Sequence, residues 1–289
     1  MAPITQRDFA KLIPARAGIG LRSAHYREVV ATKPTIAFFE AHSENYFGSG
    51  GAPHEYLTAI RAEYPLSFHG VGLSLGSTDP LNDKHLRRLN ELIDCYQPGL
   101  VSEHLSWSSH GGTYFNDLLP LPYTAEALSH IVNRVRQVQD RLNRQILVEN
   151  VSSYLEYTHS TVPEWEFVAQ VAEQSGCGIL LDVNNVYVNS VNHNFDPEAF
   201  LSGIPCAAVQ EIHLAGHTVN EFEDGSILID SHDQLVCDQV WRLYRQAVRR
   251  FGPQPTLIEW DTNLPELPVL IDQANIAQAI MEETHVRVA

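Results

Sequence analysis

Eight short apolar runs, separated by segments with helical periodicity, constrain this chain more than any other feature of its sequence. The runs predict strands at residues 18–22, 36–40, 66–69, 100–104, 145–149, 178–182, 208–213 and 256–259. Near-continuous apolar runs are typical of parallel strands that are covered on both faces. Strand and helix alternating about eight times in 289 residues predicts an α/β fold, a single (β/α)8 TIM barrel with its functional site at the C-terminal mouth. We expect one domain over residues 1–289, with the barrel core at about 18–283.

The intervening segments place apolar residues on one face of a helix, most clearly around 84–96 and 124–143 and around Trp165, Val240 and Val269. An open, doubly wound sheet is the alternative architecture. That fold carries a glycine-rich phosphate loop after its first strand. Gly18 and Gly20 do not complete such a loop, and the barrel is therefore favoured.

Composition excludes several classes of protein. Hydrophobic residues make up 44% of the chain and the formal net charge is −16. A surface this acidic repels phosphate backbones, which argues against a nucleic-acid binder. No apolar run approaches the ~18 residues of a membrane span, and the N-terminus lacks the apolar core of a signal peptide. The four cysteines are widely separated and suggest neither a disulfide framework nor a thiolate zinc site. A cytoplasmic protein is expected.

Metal-binding residue types close most of the predicted strands, where a barrel forms its active site. Any one of them alone is equally consistent with a packed or capping residue. Together, several buried acids at one mouth would repel each other, and bound cations would relieve that repulsion. Imidazole and carboxylate without thiolate suit iron, manganese or zinc, and the number of side chains implies two or three ions. The set is His69, Glu103, His104, Glu149, Asn150, Asp182, Asn184, Asn185, Glu211, His213, Asp230, His232 and Glu259.

Spacing supports a shared centre. Asp230 and His232 are two residues apart and would share one side of an extended segment. Asp182 and Asn185 span a strand end and the turn that follows it. Glu211 would lie deeper in the barrel than His213, and there it could support a ligand.

A second set of polar residues could support the ligands or orient a substrate. Glu40, His42, Glu44 and Asn45 follow the second strand, although a plain polar loop ending at Gly48 explains them equally well. His217 follows strand seven. Asn116 belongs to the long segment 105–122, which could be a lid facing a peptide or a plug over the helices.

The strings HSENYFG, FHGVGLSLG, SEHLSW, VENVSSY, LDVNNVYVN, EIHLAGH and IEWD resemble one barrel family, from about Gly18 to about Asp261. It was formerly a domain of unknown function and is now known as the multinuclear non-haem iron-dependent oxidative enzymes. The resemblance implies two or three iron ions of mixed Fe(II) and Fe(III) state, with zinc or manganese as alternatives. The ligands carried over are His69, His104, Glu149, Asp182, Asn185, His213, Asp230, His232 and Glu259.

The resemblance also implies an activity. Members of this family use dioxygen to modify cysteine, and sometimes other residues, in ribosomally made precursor peptides. A small separate partner protein often delivers the peptide. The expected protein is thus an iron-dependent oxidoreductase acting on a peptide, with no catalytic residue beyond the metal site.

Two alternatives remain open. The order of the ligands also resembles the wider superfamily of xylose-isomerase-like and apurinic-endonuclease-like barrels, and this implies a metal-dependent phosphodiesterase, another hydrolase or a sugar isomerase. The acidic charge disfavours DNA, and Asn185 stands where a zinc nuclease would be expected to carry histidine. The other alternative is a non-catalytic metal-binding scaffold, which metal content and dioxygen dependence would separate from the enzymes.

Overall fold

Eight parallel strands close into a barrel in the computed structural model, which describes residues 13–223 and 225–286. The described residues form twelve strands: β1 Ala17–Gly20, β2 Phe39–His42, β3 Leu66–Gly70, β4 Leu100–His104, β5 Trp107–His110, β6 Thr113–Leu119, β7 Leu147–Glu149, β8 Gly178–Asp182, β9 Val209–Leu214, β10 Thr218–Phe222, β11 Gly225–Ile229 and β12 Thr256–Ile258. Around the barrel the order is β1-β12-β9-β8-β7-β4-β3-β2. The predicted (β/α)8 barrel is confirmed, with every predicted strand present.

Helices follow the barrel strands and cover the outside of the sheet. Within the described residues they are α1 Tyr26–Thr32, α2 Ala52–Arg61, α3 Asp83–Tyr96, α4 Ala125–Leu142, α5 Glu164–Ser175, α6 Val183–Asn192, α7 Pro197–Gly203, α8 Asp238–Phe251 and α9 Leu267–Val286. Asn82, Thr124, Asp182 and Asp196 cap the helices that follow them by accepting backbone N–H groups. The helices predicted around 84–96 and 124–143 lie within one residue of the observed bounds.

The inside of the barrel changes from apolar to polar along its axis. At the N-terminal end a small buried cluster includes Phe38, Leu100, Leu147, Leu180 and Leu257. Side chains two residues apart share a face of a strand. The next inward positions are therefore Glu149 on β7, Asp182 on β8 and Glu259 directly after β12. The apolar end thus seals the barrel below, and the acids face its mouth.

The structure differs from the prediction at two kinds of element. The second strand begins at Phe39 rather than 36, so His42 lies in the strand instead of the loop after it. Two antiparallel hairpins, β5–β6 and β10–β11, were not predicted. The first of them occupies the segment 105–122, which was expected to be a lid or a plug.

Among the described residues, no helix combines the length and apolarity needed to cross a membrane. The single domain predicted over residues 1–289 includes 1–12, 224 and 287–289, which lie outside the described residues, and it stays a prediction.

Candidate metal centre

The mouth of the barrel brings together side chains that lie on, or directly after, seven neighbouring barrel strands. Four groups of possible ligand atoms lie there, and within each group all atoms are within 4.8 Å of one another. The groups are His69, His104 and Glu149; Glu149, Asp182, His213 and Glu259; Glu40, Glu211 and His213; and His42, Glu259 and Asp261. Because Glu149 belongs to two groups, its carboxylate would be available to ions in both.

His69 and His104 face Glu149 across adjacent strands. Their Nε2 atoms are 3.3 Å apart, and each lies 3.2–3.3 Å from Glu149 Oε2. The second nitrogen of each ring is held from behind: His69 Nδ1 contacts Ser102 Oγ at 2.7 Å, and His104 Nδ1 contacts Gly70 O at 2.9 Å. A carbonyl only accepts hydrogen bonds, so His104 Nδ1 carries the proton and its Nε2 lone pair is free for a metal.

Asp182 and Asn185 are oriented by the start of α6. Asp182 Oδ1 accepts the Asn185 N–H at 2.6 Å and thereby caps the helix, while its Oδ2 has no hydrogen-bond partner. Asn185 Nδ2 donates to Asn150 O at 3.1 Å, which turns the unpartnered Asn185 Oδ1 into the site. Asn150 also binds both backbone polar groups of Asp182. The predicted role of Asn150 as a supporting residue fits these bonds.

His213 lies between two carboxylates at the centre of the barrel. Its Nδ1 is 3.1 Å from Glu259 Oε2, and its Nε2 is 3.2 Å from Glu40 Oε1. Glu40 Oε2 in turn accepts from Ser67 Oγ at 2.9 Å. Glu211 lies below, fully buried, with neither oxygen hydrogen-bonded. Its depth agrees with the prediction.

Asp230 and His232 reach the site from the loop after the β10–β11 hairpin. Asp230 Oδ1 is 2.7 Å from His232 Nε2. The expectation of an extended segment is wrong, because His232 has a φ of 48° and the chain turns there. Asn184 Nδ2 and Ser152 Oγ donate to the Asp230 carboxylate, and His217 Nδ1 contacts Asn184 Oδ1 at 2.9 Å. Asn184 therefore contacts Asp230 directly and His217 contacts it through Asn184, and their supporting role stays a prediction.

Burial and close contact shift the pKa of most titratable groups in this cluster. Burial and nearby acids raise the pKa of Glu149 and Glu211 well above the usual range, and burial and Asp230 raise the pKa of Asp182 to about 7. Burial lowers the pKa of His69 and His104, so both rings are neutral, whereas the adjacent carboxylates outweigh burial and raise the pKa of His213 and His232. Neutral imidazoles beside crowded carboxylates are the form in which a metal site binds its ions.

Four residues predicted as supporting lie away from the mouth. Glu103 points out of the barrel, and Glu44 lies with it under the Gly70–Leu73 segment. Asn45 is exposed on the short helical turn Ser43–Tyr46, and Asn116 is exposed on β6. Asn45 and Asn116 therefore make no contact with the centre in this structure.

Arg22 and Asp261 were not predicted, and both face the centre. The Arg22 guanidinium pairs with the Asp261 carboxylate and lies 3.8 Å from Glu259 Oε1. Asp261 Oδ2 is 3.0 Å from His232 Nδ1, and Arg22 Nη2 is 3.3 Å from His42 Nε2. Arg22 lies two residues after β1 and Asp261 three residues after β12, so the strand-end rule that gave the proposed ligands could have found them. His42, predicted as a supporting residue, lies within this group.

A cavity of about 170 Å³ opens over the centre. Its wall includes His104, Glu149, Asn185, Asp230, His232 and Glu259, together with Leu118 from the β5–β6 hairpin. The cavity gives a small ligand access to the side chains that could hold metal.

Comparison with known proteins supports one family. Residues 16–282 match the model of the RiPP precursor modification enzymes MbnB/TglH/ChrH. A UPF0276 protein of Paraburkholderia phytofirmans is 50% identical over 276 residues, covering 95% of this chain and 90% of its own. A UPF0276 protein of Vibrio parahaemolyticus is 47% identical, covering 96% of this chain and 94% of its own.

Solved structures share the fold at low sequence identity. A xylose isomerase-like TIM barrel protein from Mycobacterium smegmatis, in complex with magnesium, has a TM-score of 0.60 at 14% identity and covers 94% of this chain and 90% of its own. Endonuclease IV from Thermus thermophilus has a TM-score of 0.59 at 14% identity and covers 93% of this chain and 99% of its own. At these identities the similarity concerns the barrel architecture.

Proposed function

Because the chain belongs to the MbnB/TglH/ChrH family of RiPP precursor modification enzymes, we propose that it uses two or three non-haem iron ions and dioxygen to modify a cysteine, or another residue, of a precursor peptide. The observation that carries the proposal is the set of unpartnered buried atoms in the mouth. They are Asp182 Oδ2 and Asn185 Oδ1, together with Glu149 Oε2, which faces His69 Nε2 and His104 Nε2 at 3.2–3.3 Å without a hydrogen bond. Buried polar atoms without partners are rare in native proteins, and metal ions would satisfy these.

The residues proposed to hold the ions are the nine carried over by the resemblance: His69, His104, Glu149, Asp182, Asn185, His213, Asp230, His232 and Glu259. Imidazole, carboxylate and amide donors fit iron, and they also fit zinc or manganese. Bound iron supplies one-electron chemistry with dioxygen and an open position for a substrate thiolate.

The chain's own part is to orient the ligands and limit access. Ser102 Oγ, Gly70 O and Asn150 O fix the ligand orientations from behind, and Arg22 with Asp261 fixes His232 and Glu259. No basic side chain lines the cavity among the described residues apart from its histidines, so a peptide thiolate would bind through the ions. The role of Arg22 is to balance the acids of the centre without entering the cavity wall.

The proposed peptide would lie across the two hairpins beside the mouth. Tyr114 and Phe115 on β6, and Val219 and Phe222 on β10, are 43–65% exposed. Such apolar side chains at a functional mouth are typical of an interaction surface. We propose that the precursor peptide, with a separate small partner protein that delivers it, contacts these hairpins.

The first test is metal analysis of anaerobically purified protein with Mössbauer spectroscopy after loading with iron-57. We expect two or three coupled irons per chain, and modification of a cysteine-containing precursor peptide only when dioxygen is present. His69→Ala and Asp182→Ala should lose metal and turnover, whereas His130→Gln, a helix histidine bonded to Ser77 O, should keep both.

The alternatives give different results in the same experiment. Stoichiometric zinc, with hydrolysis or isomerisation that does not need dioxygen, would replace the proposal with a hydrolase or sugar isomerase. A protein that binds metal but turns over no substrate of either class would be a scaffold. Full metal content in the His69→Ala and Asp182→Ala variants would contradict the ligand assignment itself.

A further inference from the structure

A separate group of metal-binding residue types lies outside the barrel wall. We name Glu44, His85 and Glu103 the outer cluster. Glu103 is on β4 between Ser102 and His104, which both face into the barrel, so its side chain points to the opposite face. Glu44 lies on the turn Ser43–Tyr46, and His85 lies in the first turn of α3. The centre proposed above does not use these three residues.

The three side chains converge on one point. One possible ligand atom of each lies within 4.8 Å of the other two. His85 Nε2 is 3.6 Å from Glu44 Oε1, which is too long for a hydrogen bond. Two ligands bound to one ion at about 2.1 Å each lie about 3–3.5 Å apart, so the spacing fits a shared ion after a small adjustment.

Two polar atoms of the outer cluster have no hydrogen-bond partner. They are His85 Nε2 and Glu44 Oε2, and both are buried. The His85 side chain is only 9% exposed, and its ring packs edge-on against Phe47 at 4.8 Å between centroids. This buried and unpartnered imidazole nitrogen, beside two carboxylates, is evidence for a bound ligand that does not depend on the acids themselves.

The backbone holds both carboxylates in place without satisfying them. Glu44 Oε1 accepts the N–H groups of Val71 and Gly72 at 3.0 and 2.8 Å. The Glu103 oxygens accept from Leu73 N and His104 N, each at 3.1 Å. Since a carboxylate oxygen can accept two bonds, both Glu103 oxygens and Glu44 Oε2 keep a free lone pair. The acids are thus oriented but still able to bind an ion.

The charges in the outer cluster also favour a cation. Burial lowers the pKa of His85, against an opposing effect of the Glu44 carboxylate and with a smaller contribution from Arg88, so the ring is a neutral ligand rather than a compensating cation. A proton shared by the two acids would satisfy them but leave His85 Nε2 without a partner, whereas a metal ion satisfies all three side chains.

We propose that Glu44, His85 and Glu103 bind one divalent first-row transition ion, of the zinc, manganese or iron class, at a site distinct from the centre in the barrel. One imidazole and two carboxylates are a ligand set for these ions. The Glu44 side chain is 23% exposed, which leaves a path from solvent and room for water to complete the coordination. The proposal does not depend on the chemistry proposed for the barrel.

An ion at the outer cluster would stabilise the segment that orients the inner centre. The N–H groups of Val71, Gly72 and Leu73 all bind the two carboxylates of the cluster. Gly70, directly before them, supplies the carbonyl that accepts from His104 Nδ1. The outer ion is therefore structural, and it holds the loop that fixes one inner ligand.

The test counts bound zinc after gel filtration in three single variants. Zinc is the probe because it needs neither dioxygen nor a reductant. His85→Gln and Glu44→Gln should each bind one equivalent less than the wild-type protein, and His130→Gln should bind the same number as wild type. Circular dichroism confirms that each variant is folded, and two separate variants keep the test informative if one of them does not fold.

A double variant of the inner centre separates zinc binding at the outer cluster from zinc binding at the inner centre. His69→Ala/Asp182→Ala, which removes two inner ligands, should still bind one zinc that is lost when His85→Gln is added. Unchanged zinc in both His85→Gln and Glu44→Gln would overturn the outer site and leave a shared proton as the explanation. A wild-type protein that binds the outer equivalent of zinc but none at the inner centre would instead count against the proposed function alone.

Discussion

Ser102 shows how an uncharged residue can set the chemistry of the centre. Its hydroxyl donates to Phe68 O at 3.4 Å and lies 2.7 Å from His69 Nδ1. The hydroxyl therefore accepts the His69 Nδ1 proton, and the Nε2 lone pair points towards Glu149. Without Ser102 the ring could rotate or take the other tautomer, and the ligand would be lost to the centre.

The Ser102→Ala substitution should weaken metal binding by about 10–100-fold with the fold intact. A competition titration with a zinc chelator measures the affinity. The control is Ser129→Ala, an exposed helix serine bonded to Ala125 O, and it should have the wild-type affinity. Equal affinities in the two variants would show that Ser102 does not orient His69.

At the same scale, Arg22 and Asp261 show which contacts the sequence alone does not predict. The two residues pair where the neighbouring strands β1 and β12 end, although 239 positions separate them in the chain. Strand-end position places each at the mouth. Their pairing also requires that the first and last strands be neighbours, which only closure of the barrel provides. The position of a residue at a strand end is thus predictable from sequence, and its ion pairs depend on topology.

At the scale of elements, the barrel strands could be predicted because each is a short, near-continuous apolar run that ends in polar residues. The β5–β6 hairpin gave a weaker signal, since most of β6 is exposed and polar residues interrupt it. Its turn contains Gly111 and Gly112, both with positive φ, and a Gly-Gly pair between two strands is a hairpin signal. The Gly111-Gly112 pair is therefore the sequence feature that predicts this hairpin.

The end of β3 depends on a glycine for a close approach. A Cβ on Gly70 would lie 2.3 Å from Glu103 Oε1, and two backbone bonds hold that carboxylate. Gly70→Ala should therefore lower the free energy of unfolding by about 1–3 kcal/mol, as measured by urea denaturation. Gly48→Ala is the matched control, because no atom lies within 4 Å of its Cβ position. A similar loss in both variants would contradict the steric explanation.

The start of α5 should make stability depend on pH. Burial raises the pKa of Glu164 to about 8, against a smaller opposing effect of its hydrogen bond from Asn189. The folded protein therefore holds this proton more tightly than the unfolded chain. The resulting stabilisation is present below the usual glutamate pKa, and it is lost as the pH rises towards 8, with a slope of at most about 1.4 kcal/mol per pH unit.

The Glu164→Gln substitution should remove this part of the pH dependence between about pH 5 and 8. Urea denaturation of the wild-type and variant proteins at several pH values measures it. Glu156→Gln, at a neighbouring glutamate whose side chain is 73% exposed, should keep the wild-type slope. A slope that persists in Glu164→Gln would assign it to other groups.

At the scale of the whole molecule, the metal centre and the fold should stabilise each other. The buried acids and histidines of the mouth lie on, or directly after, seven different barrel strands, so an ion bound there would link strands from around the barrel. Metal at about 100 times its dissociation constant would add about 2.7 kcal/mol to the free energy of unfolding. Unpaired acids in its absence would further weaken the closed barrel.

Removing metal with a chelator should therefore lower the melting temperature by about 5–10 °C. Differential scanning calorimetry of the loaded and the chelated protein measures the change. His69→Ala/Asp182→Ala should show a much smaller response to the chelator. An unchanged melting temperature in the wild-type protein would mean that the ions contribute little to the stability of the barrel.

The two hairpins have a consequence for how such a protein can diversify. Both rise from loops at the C-terminal ends of barrel strands, and their strands pair only with each other. Their sequences can therefore drift, lengthen or be exchanged between relatives without altering the register of the strands that carry the ligands. On the function proposed above, one metal chemistry acquires new peptide preferences in this way, and we expect chimaeras that swap only these hairpins to transfer the preference alone.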